Sequence, residues 1–179
     1  MSRRGFSLIE MLVVVAIIGI LAVLAIYGVS KYITNAKTGE ARNAIGQIAK
    51  SAVGSFEEER ADPTLIAPGK SSAANQHAVC ATATHVPGAL SAVSNKKYQA
   101  SQVSGSDYGK GDKNTGWPCL KFALTEPQYF QYGYGADSSN NWTAAAHGDL
   151  KGDGKATLGF ALGGKVVSGQ MTVTPQVKE

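Results

Sequence analysis

From Met11 to Val29 the chain reads "MLVVVAIIGILAVLAIYGV", without one charged residue. Wound as a helix, that stretch is about 28 Å long, close to the roughly 30 Å hydrocarbon core of a bilayer. No other feature limits the fold as strongly, because a segment this long and apolar is built to span a membrane. Arg3 and Arg4 stand in front of it. By the positive-inside rule they keep the N-terminus cytoplasmic and place everything after Lys31 outside. Yet Glu10 sits at the head of the run. A carboxylate costs roughly 2.5–3.5 kcal/mol at a bilayer centre, so an anchor alone gives no reason for it.

The remaining composition is that of a folded protein. The 179 residues suffice for one domain with a core plus an appended element. Hydrophobic content of 44% and charged content of 17% exclude a disordered chain and a polytopic membrane protein. Net charge is +4, from 17 cationic and 13 acidic side chains. Arg3 and Arg4 supply two of the cations, so without them the balance is near neutral. Charge therefore gives no indication of nucleic-acid binding.

Three readings of the N-terminus compete. A secretory signal has "AVLA" at 22–25 as a loose cleavage site, but the apolar run exceeds the usual length of about 7–15 residues. A twin-arginine signal has "SRRGF", but its apolar region should be milder. Neither accounts for Glu10. The third reading does: "RRGFSLIEMLVVVAIIGIL" resembles the class III leader of type IV pilins and pseudopilins. The resemblance covers about residues 3–55. It implies that a prepilin peptidase cuts between Gly5 and Phe6 and methylates the new amino group of Phe6. Glu10 matches the family's glutamate at the fifth mature position. Chemistry supports this carry-over, since a carboxylate four residues from a cationic amine can pair with it, within the chain or on a neighbouring subunit. In low dielectric the pair is far less unfavourable than either ion alone. Glu10 would thus favour an assembled subunit over a lone one in lipid.

Apolar periodicity continues beyond the membrane segment. Ile33, Ala41, Ala44, Ile45, Ile48, Ala49, Ala52, Val53 and Phe56 fall at three- and four-residue spacings, with Lys37, Glu40, Arg42, Lys50 and Glu57 on other faces. Since no proline occurs before Pro63, one helix is predicted from Phe6 to Glu59. Its parts are a leader at 1–5, a membrane and polymerisation half at 6–29 and an amphipathic half at 30–60. Many pilins carry a proline where Tyr27 stands here. Gly19 and Gly28 weaken the helix by about 1 kcal/mol each relative to alanine.

Residues 61–116, rich in Ala, Ser, Gly and Asn, read as a long, partly irregular connection. Cys80 and Cys119 read as one disulfide of an exported chain, closing a loop worth on the order of 3–4 kcal/mol on the chain-entropy model. The rival is a metal site of His77 and His85 beside Cys80, without the usual zinc spacing. From Trp117 the period becomes two. Strands are expected at Leu120–Leu124, around Phe130–Tyr134, from Trp142, at "TLGFAL" and at "KVVSGQMTVT", with Gly163-Gly164 as a two-residue hairpin. "HGDLKGDGK" reads as a Gly/Asp turn. A calcium loop using Asp149 and Asp153 is the weaker alternative, since Lys151 and Phe160 stand where acids are needed. Asn141-Trp142-Thr143 is a formal glycosylation sequon. His147 near Asp149 lacks an accompanying nucleophile motif, and no enzyme is indicated. Phe6, Tyr27, Tyr32 and Phe56 read as packing residues.

The expected fold is α+β: a long N-terminal helix packed on a C-terminal antiparallel sheet in residues 61–179. The expected function, implied by the resemblance, is a structural subunit of an extracellular type IV filament. It would have no cofactor, and its partners would be copies of itself, prepilin peptidase and the inner-membrane assembly machinery. A pseudopilin of a type II secretion system and a minor pilin acting as a tip binding module remain open.

Overall fold

The structure, a computed structural model, describes residues 5–58, 68–69, 77–156 and 158–176. Arg3, Arg4, Glu59 and Pro63, and most of the 61–76 connection, lie outside these. The architecture is α+β, one long helix followed by a five-stranded antiparallel sheet.

Helix α1 spans Leu8–Glu57. It passes through two compact units, Met1–Thr38 and Gly39–Glu179. In the first unit the helix is solvent-exposed on every side from Leu8 through Ile33 and, apart from Glu10 and Lys31, uncharged. It is long and apolar enough to cross a membrane.

In the second unit α1 becomes amphipathic. Ala41, Ala44, Ile45, Ile48, Ala49, Ala52 and Phe56 are buried and belong to the domain core. The small residues at 41, 44, 49 and 52 allow the helix to approach closely. Ile45, Ile48 and Phe56 supply most of the apolar area. Polar contacts fix the register: Glu40 Oε1 accepts the Tyr129 N–H at 3.0 Å and the Tyr132 hydroxyl at 3.1 Å. The Arg42 guanidinium lies 5.4 Å from the Phe160 ring centroid.

The sheet runs in the order β1 (Ala83–Val86), β2 (Gln131–Ala136), β3 (Trp142–Gly148), β4 (Leu158–Val167), β5 (Gln170–Gln176), each strand antiparallel to the next. Alternation assigns Tyr132, Tyr134, Trp142, Ala144, Ala146 and Phe160 to the core face. Strands β2 to β5 form a meander. The β1–β2 connection holds two 3-10 turns, Leu90–Val93 and Asp107–Gly109, and the short helix α2, Gly116–Leu120.

Three expectations are corrected here. Strand β1 lies inside the stretch read as irregular; only four residues long, it leaves too brief an alternation to stand out. Leu120–Leu124 is not a strand: Leu120 closes α2, and left-handed Lys121 (φ 53°) ends that helix. Leu120 and Phe122 point into the core by another route, with Tyr108, Trp117 and Phe122 forming a cluster of rings 5.2–5.7 Å apart. Gly163-Gly164 is not a hairpin, because β4 runs straight through it. Gly164 instead pairs with Trp142 across the strands, and a Cβ there would collide with the indole ring. The turn is Ser168-Gly169, whose φ values of 53° and 78° match the paired positive dihedrals of a tight hairpin.

Cys80 and Cys119 are joined in a disulfide and largely buried, tying the segment before β1 to α2. Nearby, Gln128 is only 1% exposed. Its Nε2 donates to the carbonyls of Val86 (2.8 Å) and Phe130 (2.7 Å), and its Oε1 accepts from the Tyr108 hydroxyl (2.8 Å). Gln128→Leu would leave those three groups without their partner at this position. The expected loss is about 3 kcal/mol, read as a lower urea midpoint for the full-length chain in detergent. An unmoved midpoint would contradict this role.

Candidate functional site at the head of the helix

Gly5 and Phe6, the expected leader junction, precede the first helical residue, and Phe6 is 80% exposed. Ser7 is the cap. Its hydroxyl oxygen accepts the Glu10 N–H at 3.3 Å, while Glu10 Oε2 accepts the Ser7 N–H and the Ser7 hydroxyl, both at 2.8 Å. The first intrahelical bond, Met11 N–H to the Ser7 carbonyl, is 3.4 Å. This is a reciprocal capping box: the cap residue and the third helical residue each satisfy the other's free N–H.

Pairing with an amine is therefore one of two functions open to Glu10. Its Oε2 closes the helix N-terminus inside the chain, and its Oε1 has no hydrogen bond among the described residues. One carboxylate can thus cap its own helix and still present an acceptor outward. Sequence reasoning overlooked Ser7, although "SLIE" directly before an apolar run is the S-x-x-E signature of such a box.

The other candidate residues do not converge on a second centre. Asp149 is fully buried, and its carboxylate is filled with donors. The Ser94 hydroxyl lies 2.6 Å from Oδ2 and the Gly154 N–H 2.9 Å. The N–H groups of Gly152 and Asp153 lie 2.7 and 3.2 Å from Oδ1. These donors organise the 149–155 turn and leave the carboxylate committed, whereas a calcium ion needs carboxylate lone pairs. Asp153 caps the Lys155 N–H at 3.0 Å.

The Ser94 hydroxyl, with the three N–H groups, holds the Asp149 carboxyl below the ordinary range, against the effect of burial. A lowered folded pKa means that its stabilisation is complete above the unfolded value of about 4 and fades as pH falls through the folded value. Asp149→Asn should therefore melt earlier at neutral pH, and its deficit against the parent should shrink at acid pH. A deficit independent of pH in paired melts would contradict this.

His77, His85 and Cys80 do not share a metal. Cys80 is in the disulfide, and His77 Nδ1 lies 2.9 Å from the Phe56 carbonyl oxygen. Among the described residues no group of three or more His, Cys, Asp or Glu is placed to hold an ion. His147 is half-buried on β3. Desolvation, and His85 beside it, push its imidazole below the usual range. Asn141 of the sequon donates its side-chain N–H to Asp137 Oδ2 at 2.8 Å.

Residues 1–26 match the family model of the prokaryotic N-terminal methylation motif. That motif is typical of type IV pilin class III leaders and supports a pilin-like or pseudopilin protein, structural in kind. Such a leader implies processing by prepilin peptidase, a membrane-anchored precursor and assembly into filaments. No curated protein and no solved structure matches the chain.

Proposed function

We propose that the chain is a structural subunit of an extracellular type IV pilus, cut between Gly5 and Phe6 and methylated on Phe6. Before assembly it would sit in the inner membrane as a single-pass precursor with its N-terminus in the cytoplasm. It would then polymerise through the apolar half of α1, delivered by the inner-membrane assembly machinery. The observation that carries this reading is Glu10, half engaged in its own cap and half open, at the head of a helix exposed and apolar on all sides. A monomer in water cannot leave that helix uncovered, and a subunit in lipid gains by pairing the carboxylate with a neighbour's amine.

A pseudopilin would share all of this. The disulfide-closed domain after Lys31 fits an oxidising compartment beyond the inner membrane, which a periplasmic pseudopilin and an extracellular pilin have in common. Electron microscopy of sheared surface filaments, with mass spectrometry of their main band, tests the reading. This chain should be the main band. Its absence from filaments, together with a secretion defect on deletion, would identify a pseudopilin instead. Presence only in traces would identify a minor pilin.

A further inference from the structure

On the outer face of the sheet two imidazoles meet with no hydrogen-bond partner among the described residues. Residues 132, 144 and 146 point into the core, so alternation turns 131, 133, 145 and 147 outward. His85 joins that outward set from β1. It falls where the β1–β2 register shifts, between Ala83 and Val86. An irregularity of this kind re-aims a side chain.

Here the His85 ring lies flat across β2. A Cβ built at Gly133 would sit 2.6 Å from His85 Cδ2 and 2.7 Å from Nε2, so only glycine admits this pose. Directed across the strand in this way, the His85 ring centroid lies 6.5 Å from that of His147. His147 pairs with Gln131, two residues from Gly133 on β2. Neither imidazole makes a hydrogen bond among the described residues, in contrast to His77.

We propose that His85 and His147 form a two-ligand site for a divalent transition metal, with water completing its coordination. Two imidazoles on one ion, each nitrogen at about 2.0–2.1 Å, have centroids roughly 5 Å apart at a tetrahedral angle and roughly 6.5 Å apart when opposed. The observed centroid separation equals the opposed value. A bent arrangement needs closure by about 1.5 Å, within reach of an exposed His85 side chain. Neutral imidazole donors without thiolate or carboxylate select copper, nickel and zinc over calcium and magnesium, with Cu²⁺ held most tightly. Two ligands make an open, exchangeable site rather than a closed structural one. The inference is independent of the pilus reading, since it uses only the sheet.

The test is titration of the full-length chain in detergent, in a non-coordinating buffer, with CuCl₂, NiCl₂ and ZnCl₂ in turn. The parent should bind Cu²⁺ more tightly than Ni²⁺ or Zn²⁺. His85→Ala and His147→Ala should each weaken Cu²⁺ binding about tenfold or more, and His77→Ala should leave it unchanged. Gly133→Ala, which keeps both imidazoles but displaces one, should weaken it as well. In the parent, substoichiometric Cu²⁺ should broaden the ring-proton resonances of His85 and His147 before those of His77. Parent-like affinity in both single histidine variants, or broadening of His77 first, would overturn the proposal.

Discussion

Glu10→Val should be inserted and cut normally yet yield more than a hundredfold fewer filaments. With the cut proposed between Gly5 and Phe6, that junction is untouched, and a valine makes the helix only more at home in lipid. What would disappear, on the proposed pairing, is the partner of a buried amine, and losing one member of such a pair costs about 3–5 kcal/mol. That is over a hundredfold at roughly 1.4 kcal/mol per decade. Because Glu10 also closes the helix cap, two further variants separate the functions. Glu10→Gln keeps a competent capping box but removes the charge, and should also fail to assemble. Ser7→Ala removes the cap at about 1 kcal/mol but keeps the charge, and should still form filaments. Abundant filaments from Glu10→Gln would assign the carboxylate to capping alone.

Gly5→Val should leave the full-length precursor in the inner membrane, with mature chain reduced to a trace. Among the described residues, adjacent positions aside, nothing lies within 4 Å of a Cβ at Gly5. The substitution therefore meets no contact among the described residues. A block to processing would have to arise in the peptidase's own site, which must accept the residue before the cut. Normal N-terminal sequence from this variant would place the cleavage elsewhere.

How far these features can be read in the sequence depends on the range of the interactions that fix them. Helix α1 is legible almost to the residue, because apolar spacing and the absence of proline up to Pro63 are local properties. Its cap is legible too: "SLIE" is sufficient, once Glu10 is considered as a backbone partner as well as a charge. Strands β2 and β3 show their alternation.

The failures fall where a distant residue decides. Gly164 looks like a turn, yet it is a slot for Trp142 on the neighbouring strand. Leu120 and Phe122 alternate like a strand, yet a disulfide from Cys119 and packing against Tyr108 and Trp117 hold them in and after a short helix. Asp149 resembles a calcium ligand until Ser94, far away in sequence, is placed against it. The approach of His85 to His147 depends on a register shift and on a glycine of a third strand.

In the mature protein the apolar helix should begin at a modified amine with Glu10 beside it. Mass spectrometry of the N-terminal peptide, from protein purified out of its native membrane or filaments, tests this most directly. The chain should start at N-methylated Phe6, with residues 1–5 gone. A chain starting at Met1, or one cut after Ala25 with the apolar run removed, would contradict it.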